Sequence, residues 1–132
     1  MRNQELSRFR IGDTELRYRH NPEDGRIELA LAPAGAPERE TVPEETLVPL
    51  AEVKIRGDHN TCGFGAGRTM RENGSTERFR FRDQRREGRT VVTTLADPRG
   101  YELIHHLSWR DETPVFTVRI EFVNRSEQPV VL

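Results

Sequence analysis

The sequence predicts an all-β protein, an antiparallel β-sandwich, on three observations. Apolar and polar residues alternate with a period of two along most of the chain, as in half-buried strands. Turn-forming tetrads at 97–100 and 111–114 separate the later runs at hairpin spacing. No stretch of ten residues keeps the repeat of a helix. Strands with one polar face each indicate two sheets packed face to face.

Eight short runs mark the predicted strands, and two loops interrupt them. Residues 33–49 contain four of the eight prolines and are predicted to form a long surface loop, and 57–75 form a glycine-rich loop. The strand-marking residues are Phe9 and Ile11; Leu16 and Tyr18; Ile27, Leu29 and Leu31; Ala51, Val53 and Ile55; Phe79 and Phe81; Val91, Val92 and Leu95; Leu103, His105, Leu107 and Trp109; and Phe116, Val118, Ile120 and Phe122.

The composition favours a single domain with a narrow core. The chain has 132 residues, of which 33% are hydrophobic and 33% charged. Its 21 basic and 22 acidic residues nearly cancel, so no global field favours nucleic acid or an anionic membrane. All basic residues but Lys54 are arginine, which suits cross-strand Arg–Glu pairs but is better explained by codon bias.

The sequence also indicates the cellular compartment. Cys62 is the only cysteine, so an internal disulfide is excluded. No apolar run approaches the roughly 20 residues of a membrane span, and no apolar leader segment follows Met1. We therefore expect a cytoplasmic protein that contacts neither membrane nor nucleic acid.

The loop at 57–75 is the predicted functional region. It combines several glycines with the charged residues Asp58, Arg68 and Arg71 and lies between two predicted strands. Glycine allows positive φ and close approach of backbone to a ligand. Loops on a rigid β scaffold are also where binding residues concentrate.

Other motifs have simpler explanations. His105 and His106 are adjacent in a strand, so they point to opposite faces and cannot chelate one ion together. We predict neither a metal nor a cofactor.

The glycines at 63–67 lack a following helix that would hold a phosphate. The arginines at 78–89 alternate with two phenylalanines, which indicates a solvated face over a core face rather than a nucleic-acid platform. Asn73-Gly74-Ser75 matches a glycosylation acceptor, which means little without a secretion signal.

Several segments resemble the N-terminal β-domain of the family-36 glycoside hydrolases, the α-galactosidases. The resemblance covers residues 14–132, and the stretch from Gly57-Asp58 to Gly67-Arg68-Thr69-Met70-Arg71 is its most specific part. The residues before 14 and the proline loop match only loosely. The other matching segments are 50–56, Thr90-Val91-Val92-Thr93-Thr94-Leu95, His105-His106-Leu107-Ser108-Trp109 and the tail 122–132.

This resemblance implies a β-supersandwich in front of a (β/α)₈ barrel that hydrolyses terminal α-galactosides with retention. Retention uses two carboxylates about 5 Å apart, and both would belong to the barrel, which needs about 250 residues. We therefore expect 1–132 to be an N-terminal domain, cut after the apolar Val130-Val131-Leu132 and possessing no catalytic residues. The full-length enzyme would be a homo-oligomer.

The resemblance also implies a role for the loop, which would reach a sugar in a neighbouring subunit. Asp58 would accept hydrogen bonds from galactose hydroxyls, and Arg68, or else Arg71, would donate to one. The alternative is that Asp58 pairs with Arg68 or Arg71 and only braces the loop. His59 and Cys62 depart from the family pattern, so the residue alignment inside the loop stays open.

Two rival functions remain. A stand-alone carbohydrate-binding sandwich would need an exposed aromatic platform, for which Trp109 is the candidate. A purely structural or interaction domain would have a closed 57–75 loop with no cleft beside it.

Overall fold

A computed structural model describes residues 3–38, 46–61 and 67–132. Seven strands and one short helix are found in these residues. The strands are β1 (Gln4–Ile11), β2 (Thr14–His20), β3 (Ile27–Pro33), β4 (Arg80–Glu87), β5 (Thr90–Asp97), β6 (Tyr101–Arg110) and β7 (Thr113–Asn124), and the helix is α1 (Gly74–Arg78).

The strands form two antiparallel sheets, each a meander of consecutive strands. One sheet has the order β1-β2-β3 and the other β4-β5-β6-β7. Their facing residues share one hydrophobic core, with Leu16 and Tyr18 from β2 and Leu103, Leu107 and Trp109 from β6 among its buried members. The all-β antiparallel sandwich predicted from the sequence is confirmed.

The run Ala51-Val53-Ile55, predicted to be a strand, forms no regular strand. The three side chains are buried as the alternation requires. The backbone of Val53 is satisfied by a side chain instead of a neighbouring strand: its N–H donates to Thr76 Oγ1 (3.0 Å), and its carbonyl accepts from the same hydroxyl (2.8 Å). The alternation therefore marks an extended segment. Its hydrogen bonds at Val53 are made with the Thr76 hydroxyl and not with a neighbouring strand.

The structure describes only part of the proline-rich stretch 33–49, which the sequence predicts to be a surface loop. Strand β3 extends to Pro33, residues 34–35 form a turn, and residues 36–38 and 46–50 are irregular. Residues 39–45 lie outside the described part of the chain. Arg17 is buried under the turn, where its Nη2 donates to the carbonyl of Ala36 (2.6 Å) and pairs with Glu15 (2.7 Å).

The arginine-rich strand β4 departs from strict alternation because a bulge falls between Phe81 and Asp83. Beyond the bulge, Arg86 lies opposite Val91, on the core side of the sheet. Its guanidinium lies 5.2 Å from the ring centroid of Trp109, within cation–π range. The predicted separation of rings and arginines therefore fails at Arg86.

The last strand is less buried than its alternation predicted. Phe116 and Phe122 pack partly against the core. Between them, Val118 is 52% exposed and Ile120 is 43% exposed. Strand β7 is an edge of the larger sheet, and its core-facing side is only partly covered. Among the described residues, no helix has the length and apolar character needed to span a bilayer.

Candidate functional site

The loop 57–75 begins with a tight turn that Asp58 closes. Gly57 adopts φ +99°, a left-handed conformation that favours glycine. The Asp58 N–H donates to the carbonyl of Ile55 (2.9 Å), and its Oδ2 accepts from the Ile55 N–H (2.7 Å). The Asp58 carboxylate thus satisfies a backbone donor of its own turn.

The second oxygen of Asp58 lies at the start of helix α1. A Cβ added at Gly74 would be 3.6 Å from Asp58 Oδ1 and 3.9 Å from Arg78 Nη2. The charge of Asp58 also helps to raise the pKa of Arg99, although the hydrogen bond with Asp97 is the larger cause. Asp58 therefore faces the scaffold at this end of the sandwich.

The two candidate arginines both extend towards solvent and pair with other acids. Arg68 lies 3.1 Å from Glu72, with 56% of its side chain exposed. Arg71 Nε lies 3.3 Å from Glu52, with 47% of its side chain exposed. In the part of the chain that the structure describes, neither arginine forms an ion pair with Asp58, so the bracing pairs considered from the sequence are absent there.

Asn73 anchors the end of the loop. It is fully buried, and its Oδ1 caps helix α1 by accepting from the N–H groups of Ser75 (2.9 Å) and Thr76 (3.1 Å). Its Nδ2 donates to the carbonyls of Thr69 (3.1 Å) and Met70 (2.7 Å). The sequence motif at Asn73 predicted only a glycosylation acceptor, and helix α1 was not predicted. Asn followed by Ser, Thr and Glu is nevertheless a helix-start signal.

A cleft of about 480 Å³ lies beside the loop, within the size range of small-molecule sites. Its polar wall includes Thr61, Arg71, Glu72 and Glu77, and Thr61 Oγ1 donates to Glu77 Oε1 (2.7 Å). Its apolar wall is formed by residues of both sheets and of the 46–51 segment, namely Ile27, Leu47, Leu50, Phe79 and Leu95.

The three candidate residues from the sequence do not lie together at the cleft. Arg71 lines it, whereas Asp58 and Arg68 do not. Asp58 lines a shallower hollow that it shares with Lys54, Met70 and Val131. Residues 62–66, which include Cys62 and most of the glycine run, lie outside the described residues.

Asp97 and Arg99 form an ion pair that three hydrogen bonds reinforce. Arg99 donates to Asp97 through its backbone N–H (2.7 Å), its Nε (2.9 Å) and its Nη2 (2.7 Å). Burial alone would raise the pKa of Asp97, but these hydrogen bonds lower it overall. Asp97 is therefore ionised at neutral pH, where it accepts hydrogen bonds and cannot serve as a proton donor.

Glu102 is a second buried acceptor. Its Oε1 lies 2.5 Å from Arg82 Nη1 and 3.0 Å from Arg125 Nε. The hydrogen bond from Arg82 is the main cause of its lowered pKa. This carboxylate joins β4 to the segment after β7 and is structural.

The two histidines lie on opposite faces of β6, as the sequence predicted. His105 is buried, and burial lowers its pKa to about 4, so it is neutral at pH 7. His106 lies on the other face, where its Nε2 is 3.3 Å from Glu121 Oε2. Across the described ranges, no three His, Cys, Asp or Glu side chains meet as a metal site would require.

Comparison of the chain with protein-family models, curated proteins and solved structures gave no match. The fold class is established by the two sheets themselves. Membership of glycoside hydrolase family 36 therefore rests on the sequence resemblance and is a proposal.

Proposed function

We propose that the chain is the N-terminal, non-catalytic β-sandwich domain of an α-galactosidase of glycoside hydrolase family 36. In this role it supports the catalytic barrel, contributes to subunit contacts in a homo-oligomeric cytoplasmic enzyme, and lends the 57–75 loop to the sugar site. The proposal is supported by the quoted sequence segments and is compatible with the antiparallel sandwich.

The observation that carries the sugar-binding part is the position of Arg71 in the cleft. Its Nε faces Glu52, and within the described residues its two terminal amino groups have no acceptor. A guanidinium has five N–H donors, so most of them can serve sugar hydroxyls. Glu72 and Glu77 add acceptors on the same wall, and the apolar wall suits the C–H face of a pyranose.

The other two candidates receive lesser roles. We assign Asp58 to positioning, because Oδ2 is used by the Ile55 N–H and Oδ1 faces the start of α1. Arg68 is exposed and outside the cleft, so it would reach a sugar only from a neighbouring subunit. Arg71 thus becomes the first choice among the arginines.

The rival carbohydrate-binding module loses its main support. Such a module would use an exposed, flat aromatic surface, and Trp109 is only 8% exposed, with Arg86 over its ring. The cleft beside the loop likewise favours a ligand over the purely structural role.

A sugar titration tests the role of Arg71. We expect methyl α-galactoside, added to about 100 mM, to shift the amide NMR signals of Thr61, Glu72 and Glu77 with a millimolar Kd, because a few hydrogen bonds supply little affinity. Arg71→Ala should weaken binding at least about fivefold. Arg89→Ala, which removes a similarly exposed arginine paired with Asp111, is the matched control. Unchanged signals in the original chain, or equal binding by Arg71→Ala, would refute the role.

Two further observations test the parent enzyme. The chain alone should not hydrolyse 4-nitrophenyl α-galactoside. Turnover would place the nucleophile within it and reject the non-catalytic role.

The genomic reading frame should continue after Leu132 with alternating strand and helix patterns over about 250 residues. An immediate stop codon would refute the assignment to a larger hydrolase.

A further inference from the structure

Strand β7 presents an uncovered apolar surface. Its even-numbered residues lie opposite core residues of β6: Phe116 faces Trp109, Val118 faces Leu107, and Phe122 faces Leu103. Although their partners on β6 are buried, Val118 and Ile120 remain about half exposed. Isolated exposed apolar residues are ordinary, but a row along one strand marks an interaction surface.

The same strand has an open backbone edge. β7 is the last strand of its sheet and pairs only with β6 among the described strands. In an antiparallel ladder, alternate residues direct their N–H and C=O groups away from the partner, so an edge strand offers a row of unpaired groups. β7 is twelve residues long, and its one register shift lies near its start, opposite Trp109 and Arg110.

Charge on the outer face favours one way of pairing this edge with a second copy. Arg119 and Glu121 are the only charged residues of β7, and they flank Ile120. If β7 pairs antiparallel with a copy of itself about a two-fold axis at Ile120, Arg119 lies opposite Glu121 of the copy, and Glu121 lies opposite its Arg119. An axis at Arg119 or at Glu121 would place like charges opposite each other, which is destabilising.

We propose that the chain forms a homodimer in which β7 pairs antiparallel with β7 of a second copy, centred on Ile120. A two-fold axis normal to the sheet keeps both apolar faces on the same side, so Val118 lies opposite Phe122 of the copy. The result is a continuous eight-stranded sheet with two cross-strand Arg–Glu pairs on its outer face.

The assembly should stop at the dimer. The remaining edge of the large sheet is β4, whose bulge and charged side chains oppose further pairing. The dimer does not depend on the proposed sugar-binding function, because none of the β7 residues lines the cleft beside the loop. Failure of one proposal would leave the other standing.

Sedimentation velocity over a range of concentrations tests the dimer. We expect the mass to rise with concentration from the 15.3 kDa monomer towards twice that value and no further. Arg119→Glu should weaken dimerisation at least about tenfold, because it sets like charges opposite each other across the axis. The double exchange Arg119→Glu/Glu121→Arg should restore association, since opposite charges again face each other.

The matched control is Arg85→Glu on the opposite edge, an exposed arginine with a neighbouring acid, Glu87. It should leave dimerisation unchanged, and circular dichroism should show that all variants are folded. A monomer at millimolar concentration would overturn the proposal, as would association that ignores Arg119→Glu. Assemblies larger than a dimer, or loss of association in Arg85→Glu, would also overturn it, because they would place the contact on another surface.

Discussion

Strands β4 and β7 form the two edges of the four-stranded sheet, and their side chains are of opposite character. Six of the eight residues of β4 are charged, and a bulge interrupts its register with β5 after Phe81. Strand β7 has twelve residues, two of them charged, and an apolar row on its core side. Charges and bulges are the devices by which natural sheets prevent edge pairing. The sequence protects one edge and leaves the other suited to a partner.

Apolar alternation in a strand reflects two separate properties, the face to which a side chain points and the burial of that face. Phe79 and Phe81 of the β4 region pack against the core, and so do Leu103 and Leu107 of β6. Val118 and Ile120 have the same alternation but remain exposed. Apolar alternation therefore shows to which face a side chain points, while the size of the opposite sheet decides whether that face is covered.

The largest effect should come from truncating the β6 partner of an exposed β7 residue. Leu107 is 1% exposed and lies opposite Val118. Leu107→Ala should lower the free energy of unfolding by about 2–5 kcal/mol, because it removes buried methyl groups and leaves a cavity. Chemical denaturation of the monomer at low protein concentration measures this change.

Val118→Ala is the matched control, one strand away on the same face. It should cost less than about 1 kcal/mol, because the side chain is already half in water. Equal losses for the two variants would show that β7 belongs to the core and would remove the contrast between the two edges.

A second prediction uses His105, which lies opposite Ile120 at the boundary between the core and β7. Burial, assisted by His106, lowers its folded pKa to about 4, below the ordinary value of 6.5. The unfolded chain therefore binds this proton first, and the contribution of His105 to stability is complete above pH 6.5 and declines as pH falls towards 4. The slope should approach about 1.4 kcal/mol per pH unit.

His105→Leu should remove this dependence. Within the described residues Nδ1 of His105 has no hydrogen-bond partner, so an apolar replacement should preserve or increase stability at pH 7. Denaturation of both proteins between pH 7 and pH 4 measures the difference. If the two curves stayed parallel, His105 would be hydrated, and the sheet would be open at β6 as well as at β7.

The strands were predictable because each has one polar and one apolar face, a local property of the sequence. The exposure of β7 was not, because it depends on the three strands of the opposite sheet. The extended segment at Val53 illustrates the same limit, since Thr76, distant in sequence, supplies its hydrogen bonds. Helix α1 was missed because five residues are too few to show a helical period.

The candidate site was predictable as a region and less so as individual residues. Glycines and charges marked the 57–75 loop, and the loop does border a cleft. Which residue enters the cleft depends on backbone geometry that residue types do not specify. Asp58 is turned to Ile55 by a left-handed Gly57, while Arg71 lines the cleft. Asn73, which holds the loop to the helix, carried a capping signal that was available in the sequence.

Apart from the Val118→Ala control, the smallest predicted effect concerns the Glu102 carboxylate, which bridges the regions of both edge strands. Glu102 on β6 accepts from Arg82 of β4 and from Arg125, which follows β7. Glu102→Gln should cost about 1 kcal/mol at pH 7, since both arginines are largely exposed and screened by water. Because Arg82 lowers the folded pKa of Glu102, this stabilisation is present above the ordinary glutamate pKa and lost as pH falls through the folded pKa. The free energies of unfolding of the variant and the original chain should therefore become equal at acidic pH. A constant difference at every pH would mean that Glu102 contributes through packing rather than charge, and that its two arginines do not hold the edges in place.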